Sequence, residues 1–265
     1  MALASIDFFS HTLGMDTSMT VLLPEKRGQA PTAAPERKYP VLYLLHGHSD
    51  DHTSWMRKSL VELLVRNHDL IVVMPAAHRS FYCNSKSGHQ YFDFMAQELP
   101  VVVENFFPAS SRREDRYVAG LSMGGYGAFH LALSRPDRYG AAGSLSGALF
   151  PFDAGDSAGA NALFPVADFR HNLESVFGPP QQFAGSENDL IHAAARLEAE
   201  GGSKPCLYMC CGKQDFLYNI NRRFRDAMEQ YAPSIPLQYA ESDGAHDWDY
   251  WNANLPALLT ALNIL

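Results

Sequence analysis

An α/β fold, with a mostly parallel sheet covered by helices on both faces, is what the sequence predicts, and three observations lead there. Runs that are apolar throughout, among them YPVLYLLHG, LIVVMPA and RYVAGLS, recur along the chain at strand length. Such runs lack the in–out alternation of a sheet with one wet face, so both of their faces are expected to be buried. Stretches of helical length and period separate them, which is what parallel strands need for their crossovers. No internal repeat or low-complexity tract interrupts the pattern, so residues 1–265 read as a single domain.

The elements follow in order. ASIDFFSHTLGMDTSMTVLLP reads as a strand pair leading into a polar, Pro-rich loop, EKRGQAPTAAPERK. After the strand YPVLYLLHG, the stretch TSWMRKSLVELLVRN spaces Leu60, Leu63 and Leu64 helically behind Thr53, a cap candidate. LIVVMPA is a strand; YFDFMAQELPVVVENFF is a helix in which Pro100 predicts a kink or break. RYVAGLS is a strand, MGGYGAFHLALSRPDRY a helix and GAAGSLSGAL a strand. About 150–203 the pattern loosens into an irregular insertion. Its loops are DAGDSAGANALFP and FGPPQQFAGSEND, and its helix is SENDLIHAAARLEAEGG, with Ser186 as cap and Gly201 as stop. The strands CLYMCCGKQDF and LQYAES and a last helix, WDYWNANLPALLTALNIL, close the chain. Ligands of open α/β sheets sit at the carboxyl ends of the strands. The insertion follows such an end and is expected to cover the site.

Composition narrows the function classes. Apolar residues make up 46% and charged ones 19%, the balance of an ordinary globular protein. A net charge of −8 argues against a nucleic-acid partner, which would reward a basic face. The N-terminus MALASIDFFSHTLGMDT lacks the basic and long apolar regions of a signal peptide, and no apolar run has the roughly 20 residues a membrane helix needs. A soluble, cytoplasmic protein is therefore expected. Cys83, Cys206, Cys210 and Cys211 form no C-x-x-C pair, and they read as small core residues in a reducing compartment.

The sharpest chemical signal is GLSMG, Gly120 to Gly124, between a predicted strand and a predicted helix. That is the context of a nucleophile elbow, in which a serine sits on a tight, strained turn and projects from the sheet edge. Gly120 and Gly124 remove the Cβ atoms that would crowd one another across it. A serine hydroxyl needs a base to take its proton, and the base needs an orienting acid. In an α/β-hydrolase these follow the serine, in loops after later strands. Asp215 stands just past CLYMCC and His246 just past LQYAES, in the required order. Asp243, Asp247 and Asp249 lie too near His246 to come from a separate strand end, and they read as turn and helix-start carboxylates.

With Ser122, Asp215 and His246 at one edge, LLHGHSDD becomes the turn that completes an oxyanion hole. Gly47 lets the backbone turn, and the amides of His48 and Met123 are the expected donors. The His48 side chain is not needed for this, so its identity is expected to be incidental. A rival reading makes His46, His48, Asp50 and His52 a metal cluster. Asp51 breaks the H-x-H-x-D-H ligand register, and His78, His89 and His130 supply no matching partners. Neither a metal nor an organic cofactor is expected. The rings of Trp55, Tyr82, Phe150, Phe216 and Trp248 are candidate pocket residues.

VLYLLHGHSDDHTSW, VAGLSMGGYGAFHLAL, CCGKQDFLY and GAHDWDYW together resemble the esterase D-like branch of the α/β-hydrolases, most of all the bacterial tributyrin esterases. The resemblance runs from Tyr39 to Trp251. It implies an α/β-hydrolase fold, with Ser122 as nucleophile, Asp215 as acid, His246 as base and the oxyanion amides at His48 and Met123. It also implies a serine carboxylesterase acting on a small-molecule ester of a short acyl group, acetyl to butyryl, with acetylated sugars as a natural source. Relatives of this kind are often homo-oligomers. S-formylglutathione hydrolases share the elbow, but typically carry Gly-Leu-Thr-Cys where this chain has Gly47, His48, Ser49 and Asp50, which counts against a thioester substrate. Mycolyltransferases share the strand and elbow pattern, so acyl transfer is a further alternative.

Overall fold

The computed structural model describes residues 1–25, 38–86, 88–155, 159 and 166–265. The body of the Pro-rich loop EKRGQAPTAAPERK and most of DAGDSAGANALFP lie outside the described residues. Among the described residues one eight-stranded sheet runs in the order β1-β2-β4-β3-β5-β6-β7-β8. Its strands are β1 (Ala2–Ser10), β2 (Met15–Leu23), β3 (Val41–Leu45), β4 (Ile71–Pro75), β5 (Arg116–Leu121), β6 (Ala141–Leu145), β7 (Cys206–Gly212) and β8 (Leu237–Ser242). From β4 across to β8 neighbouring strands are parallel, whereas β2 pairs antiparallel with both β1 and β4.

The apolar runs are apolar because the sheet is covered twice. Val41, Tyr43 and Leu45 of β3 enter one core and Leu42 and Leu44 the other. Edge strand β1 behaves differently, alternating exposed and half-buried residues as a strand with one wet face should. On the first face pack α5 (Met123–Ser134), α8 (Leu190–Glu200) and α9 (Tyr218–Tyr231). On the second lie α1 (Ser54–Lys58), α2 (Val61–Val65) and α10 (Trp248–Ala261). Among the described residues no helix is long and apolar enough to cross a membrane.

Several elements depart from expectation for identifiable reasons. The helix expected at TSWMRKSLVELLVRN is two short ones, because Ser59 is extended and its hydroxyl donates to the Trp55 carbonyl at 2.6 Å. Leu60 and Leu63 are half exposed, and Trp55, Val61 and Val65 supply the buried contacts instead. Thr53 does not cap α1; its hydroxyl donates to Asp51. At Pro100 the expected helix does not end but departs from regular α geometry. Tyr91–Asp93 (α3) runs through a π-helical turn, Phe94–Glu98, into Leu99–Phe106 (α4), with Pro100 in the first turn of α4. Proline has no N–H to return to the carbonyl four residues earlier, and the wider turn absorbs that loss. The carboxylate of Glu98 then accepts from Ser10 Oγ and the amides of His11 and Thr12, tying the β1–β2 turn to the helix.

The insertion is more helical than expected, with α6 (Pro151–Gly155) and α7 (Val166–Phe177) beside α8. Asp189, not Ser186, caps α8 by accepting from the amides of Ile191 and His192, and Gly201 ends it at φ +74°. The crossover helix α9 was not among the expected elements; its apolar stripe is only Ile220, Phe224 and Met228. All four cysteines are free thiols, and Cys206 is exposed at the start of β7 instead of buried.

Candidate active site

Strand β5 ends at Leu121 and α5 begins at Met123, leaving Ser122 alone in the turn at φ +53° and ψ −116°. Such a backbone costs on the order of 1–3 kcal/mol. It is held by the Ser122 N–H donating to Leu145 and by the Ser122 carbonyl accepting from Ala148 and Tyr126. A Cβ on Gly120 would lie 2.5 Å from the Gly124 carbonyl, and one on Gly124 would overlap the Leu45 carbonyl oxygen. The two glycines are therefore a steric condition of the turn. Ser122 sits at the positive end of α5, where the Met123 N–H has no intrahelical acceptor.

The loops after β7 and β8 carry Asp215 and His246, and they are clamped together. Lys213 N–H donates to Ser242, Gln214 N–H to Gly244, and Gly244 N–H back to the Gln214 side chain at 2.6 Å. As a result His246 Nδ1–H donates to Asp215 Oδ2 at 2.9 Å, and Ser122 Oγ–H donates to His246 Nε2 at 3.1 Å. The Leu217 amide donates to Asp215 Oδ1 at 2.8 Å, which fixes the carboxylate from behind. The His246 ring lies between Phe216, 4.5 Å away between centroids, and the edge-on Trp251 at 5.1 Å. Trp251 is itself anchored by its indole N–H donating to Ser146 Oγ.

The turn after β3 is held by its own side chains. His46 Nδ1–H donates to the Gly47 carbonyl at 2.8 Å and its Nε2 accepts from Ala77 N–H at 3.1 Å, so both ring nitrogens are occupied. Tyr82 donates its hydroxyl to the His46 carbonyl at 2.9 Å. His48 Nε2–H donates to Asn172 Oδ1 on α7 at 2.8 Å, and its ring meets Phe169 edge-on at 4.7 Å. Burial lowers the pKa of both imidazoles, that of His48 to about 4 despite the Asn172 hydrogen bond. The His48 side chain is thus not incidental: it ties the turn to the insertion. The metal reading of this cluster gains no support, since the two rings turn to separate partners. Among the described residues no three His, Cys, Asp or Glu side chains converge as metal ligands.

These parts border one cavity of about 390 Å³, lined by Ser122, His246, His48 and Met123. Of the rings expected there, Phe216 and Trp248 line it. Trp55, Tyr82 and Phe150 do not. Trp55 is buried beneath Trp248, with its indole N–H donating to Leu45, and Tyr82 is wholly buried. Phe150 packs on Phe224 and under the Arg223 guanidinium. The sequence reading missed Phe81, Phe169, Trp251, Lys58 and Asp50, which all reach the cavity. Phe81 and Tyr82 are consecutive left-handed residues, at φ +52° and +57°, a feature no sequence pattern announces.

Comparison with known proteins places this geometry. The family model Esterase matches residues 10–262. An acetyl esterase of Caldicellulosiruptor saccharolyticus is 31% identical over 258 residues, covering 95% of this chain and 94% of that protein. A substrate-bound fluorophosphonate-binding serine hydrolase of Staphylococcus aureus superposes with a TM-score of 0.87 at 33% identity, over 99% of this chain and 98% of its own. The S-formylglutathione hydrolase of the same organism gives 0.83 at 33% identity, over 99% of each chain.

Proposed function

The chain belongs to the esterase family and is a carboxylesterase with the α/β-hydrolase fold, and from that premise we propose that it hydrolyses short-chain acyl esters through Ser122, His246 and Asp215. The observation that carries this reading is the unbroken hydrogen-bond chain from Ser122 Oγ through His246 to Asp215, with Ser122 and His246 lining the cavity. His246 takes the Ser122 proton as the hydroxyl attacks the ester carbonyl, and Asp215 holds the imidazole in the tautomer that can accept it. The amides of His48 and Met123 receive the developing oxyanion. His246 then protonates the leaving alcohol, and a water deprotonated by the same ring releases the acid from the acyl-enzyme.

Apolar Phe81, Phe169, Ala148 and Ala154 line the cavity and suit a hydrocarbon acyl group, for which acetyl to butyryl is the proposed range. The relative named an acetyl esterase supports the same range. Four free thiols suit a reducing, cytoplasmic setting. The test is hydrolysis of p-nitrophenyl acetate, butyrate and octanoate with EDTA present. We expect acetate and butyrate to be turned over and octanoate to lag, and Ser122→Ala to lose about 10⁴-fold or more in kcat, with Asp215→Asn falling similarly. Activity that survives Ser122→Ala and vanishes with EDTA would overturn the mechanism.

The relative named an S-formylglutathione hydrolase supports a second reading, thioester hydrolysis at the same serine. S-formylglutathione turned over faster than any oxygen ester would favour it. Acceleration by an added alcohol, with transfer product formed, would instead mark an acyltransferase.

A further inference from the structure

The sheet order puts a strand between the serine and its partners. Ser122 follows β5, whereas Asp215 and His246 follow β7 and β8, and β6 lies between. The clamp joining the β7 and β8 loops fixes Asp215 to His246, but it does not fix that pair to Ser122. The turn that leaves β6, residues 145–148, touches all of these parts. The Leu145 carbonyl accepts from the Ser122 N–H at 2.9 Å, and the Ala148 N–H donates to the Ser122 carbonyl at 3.0 Å. The Gly147 carbonyl accepts from Asn221 Nδ2 of α9 at 3.0 Å. That side-chain amide also donates to the Leu217 carbonyl, and the Leu217 N–H holds Asp215 Oδ1. Ser146 Oγ accepts from the Trp251 indole at 3.1 Å, and Trp251 stands edge-on to His246.

Ser146 is the strained member of this turn. It is wholly buried at φ +49°, and its N–H is already taken by the Cys210 carbonyl at 2.8 Å. Glycine would hold that backbone with less strain, so the hydroxyl is what a serine adds here. Its partner Trp251 bounds one side of the His246 ring and Phe216 the other. An imidazole held at Nδ1 alone can swing about that hydrogen bond and carry Nε2 away from Ser122 Oγ. A displacement of about 1 Å at a reacting group can cost about a hundredfold in rate. Resting on the Ser122–His246–Asp215 reading above, we propose that Ser146 is a positioning residue for ester hydrolysis. It fixes Trp251 from the same turn that holds the Ser122 backbone, and so sets the His246 ring in line with the nucleophile. Serine, acid and base then take their places from one buried turn, although they leave three different strands.

The experiment measures kcat and KM for p-nitrophenyl acetate, with folding checked by urea unfolding. The proteins are wild type, Ser122→Ala, Ser146→Ala, Ser146→Gly, Trp251→Phe and the double variant Ser146→Ala with Trp251→Phe. We expect Ser146→Ala to lower kcat by about tenfold while KM stays within about twofold of wild type, since alignment is lost and binding is not. Ser146→Gly should lose as much, although its backbone is relaxed. Trp251→Phe keeps a ring beside His246 and deletes the indole N–H. The double variant should fall no further than the worse single one, because both changes cut the same hydrogen bond. In proton NMR the low-field resonance of His246 Nδ1–H should broaden in each, as the ring gains freedom. Wild-type kcat in either Ser146 variant overturns the proposal. So does a loss taken in KM, an unchanged resonance, or a double variant that multiplies the two single losses. Trp251→Phe at wild-type kcat overturns it even if neither Ser146 variant folds. Activity that survives Ser122→Ala would instead defeat the triad reading beneath it.

Discussion

At Gly124 there is no room for a side chain, since any Cβ would meet the Leu45 and His46 carbonyl oxygens. We expect Gly124→Ala to displace the elbow, destabilising the protein by about 2–3 kcal/mol in urea unfolding and abolishing ester hydrolysis in whatever protein folds. This is the scale at which the site was most legible. Glycine spacing around Ser122 and the chain order of Asp215 and His246 carry geometric meaning that survives in one dimension, and the structure brings the three together. The ring of His48 was not legible, because its partner Asn172 lies far along the chain in a segment without a clear period. Phe81 was equally hidden: a left-handed phenylalanine has no signature until the backbone is traced.

Among the elements, the loop after β4 acts on the turn proposed above to receive the oxyanion, through a single hydroxyl. Tyr82 holds the His46 carbonyl while His46 holds Gly47, so the aim of the His48 amide depends on a side chain outside the cavity. Tyr82→Phe keeps the ring and removes only that bond. We expect it to lower kcat by about tenfold and leave KM nearly unchanged, since the oxyanion donor is worth most in the transition state; an unaltered kcat would show that the turn holds its shape alone. Continuous apolar strands were read correctly because burial on both faces leaves no polar positions. Amphipathic helices were read less well. The α9 stripe of Ile220, Phe224 and Met228 sits among eight polar or charged residues, and Leu60 and Leu63, beside and within α2, are half exposed.

For the molecule as a whole, buried neutral histidines set a limit in acid. Burial brings His48 and His130 from an ordinary 6.5 down to about 4, and His46 is lowered too. Between pH 6.5 and 4 the unfolded chain binds protons that the folded one refuses, so stability falls as pH drops through that window. Each of the two contributes about 3 kcal/mol of loss by pH 4, added to the carboxylate effects common to most proteins. We expect urea unfolding of His130→Gln to show a shallower fall between pH 6.5 and 4 than wild type; parallel curves would mean that His130 titrates normally in the folded protein. None of this was legible from composition, since eleven histidines in a sequence do not reveal which are sealed away.

His48 belongs to two parts at once, to the turn after β3 through its backbone and to α7 through its ring. If the proposed mechanism holds, acyl tolerance and turnover are mechanically linked traits. A lineage that reshaped α7 to admit bulkier acids would loosen the strut behind its own rate, and selection for breadth would meet resistance from selection for speed. Changes at Ala154 or Phe81, which leave Asn172 in place, offer the path along which breadth can widen first.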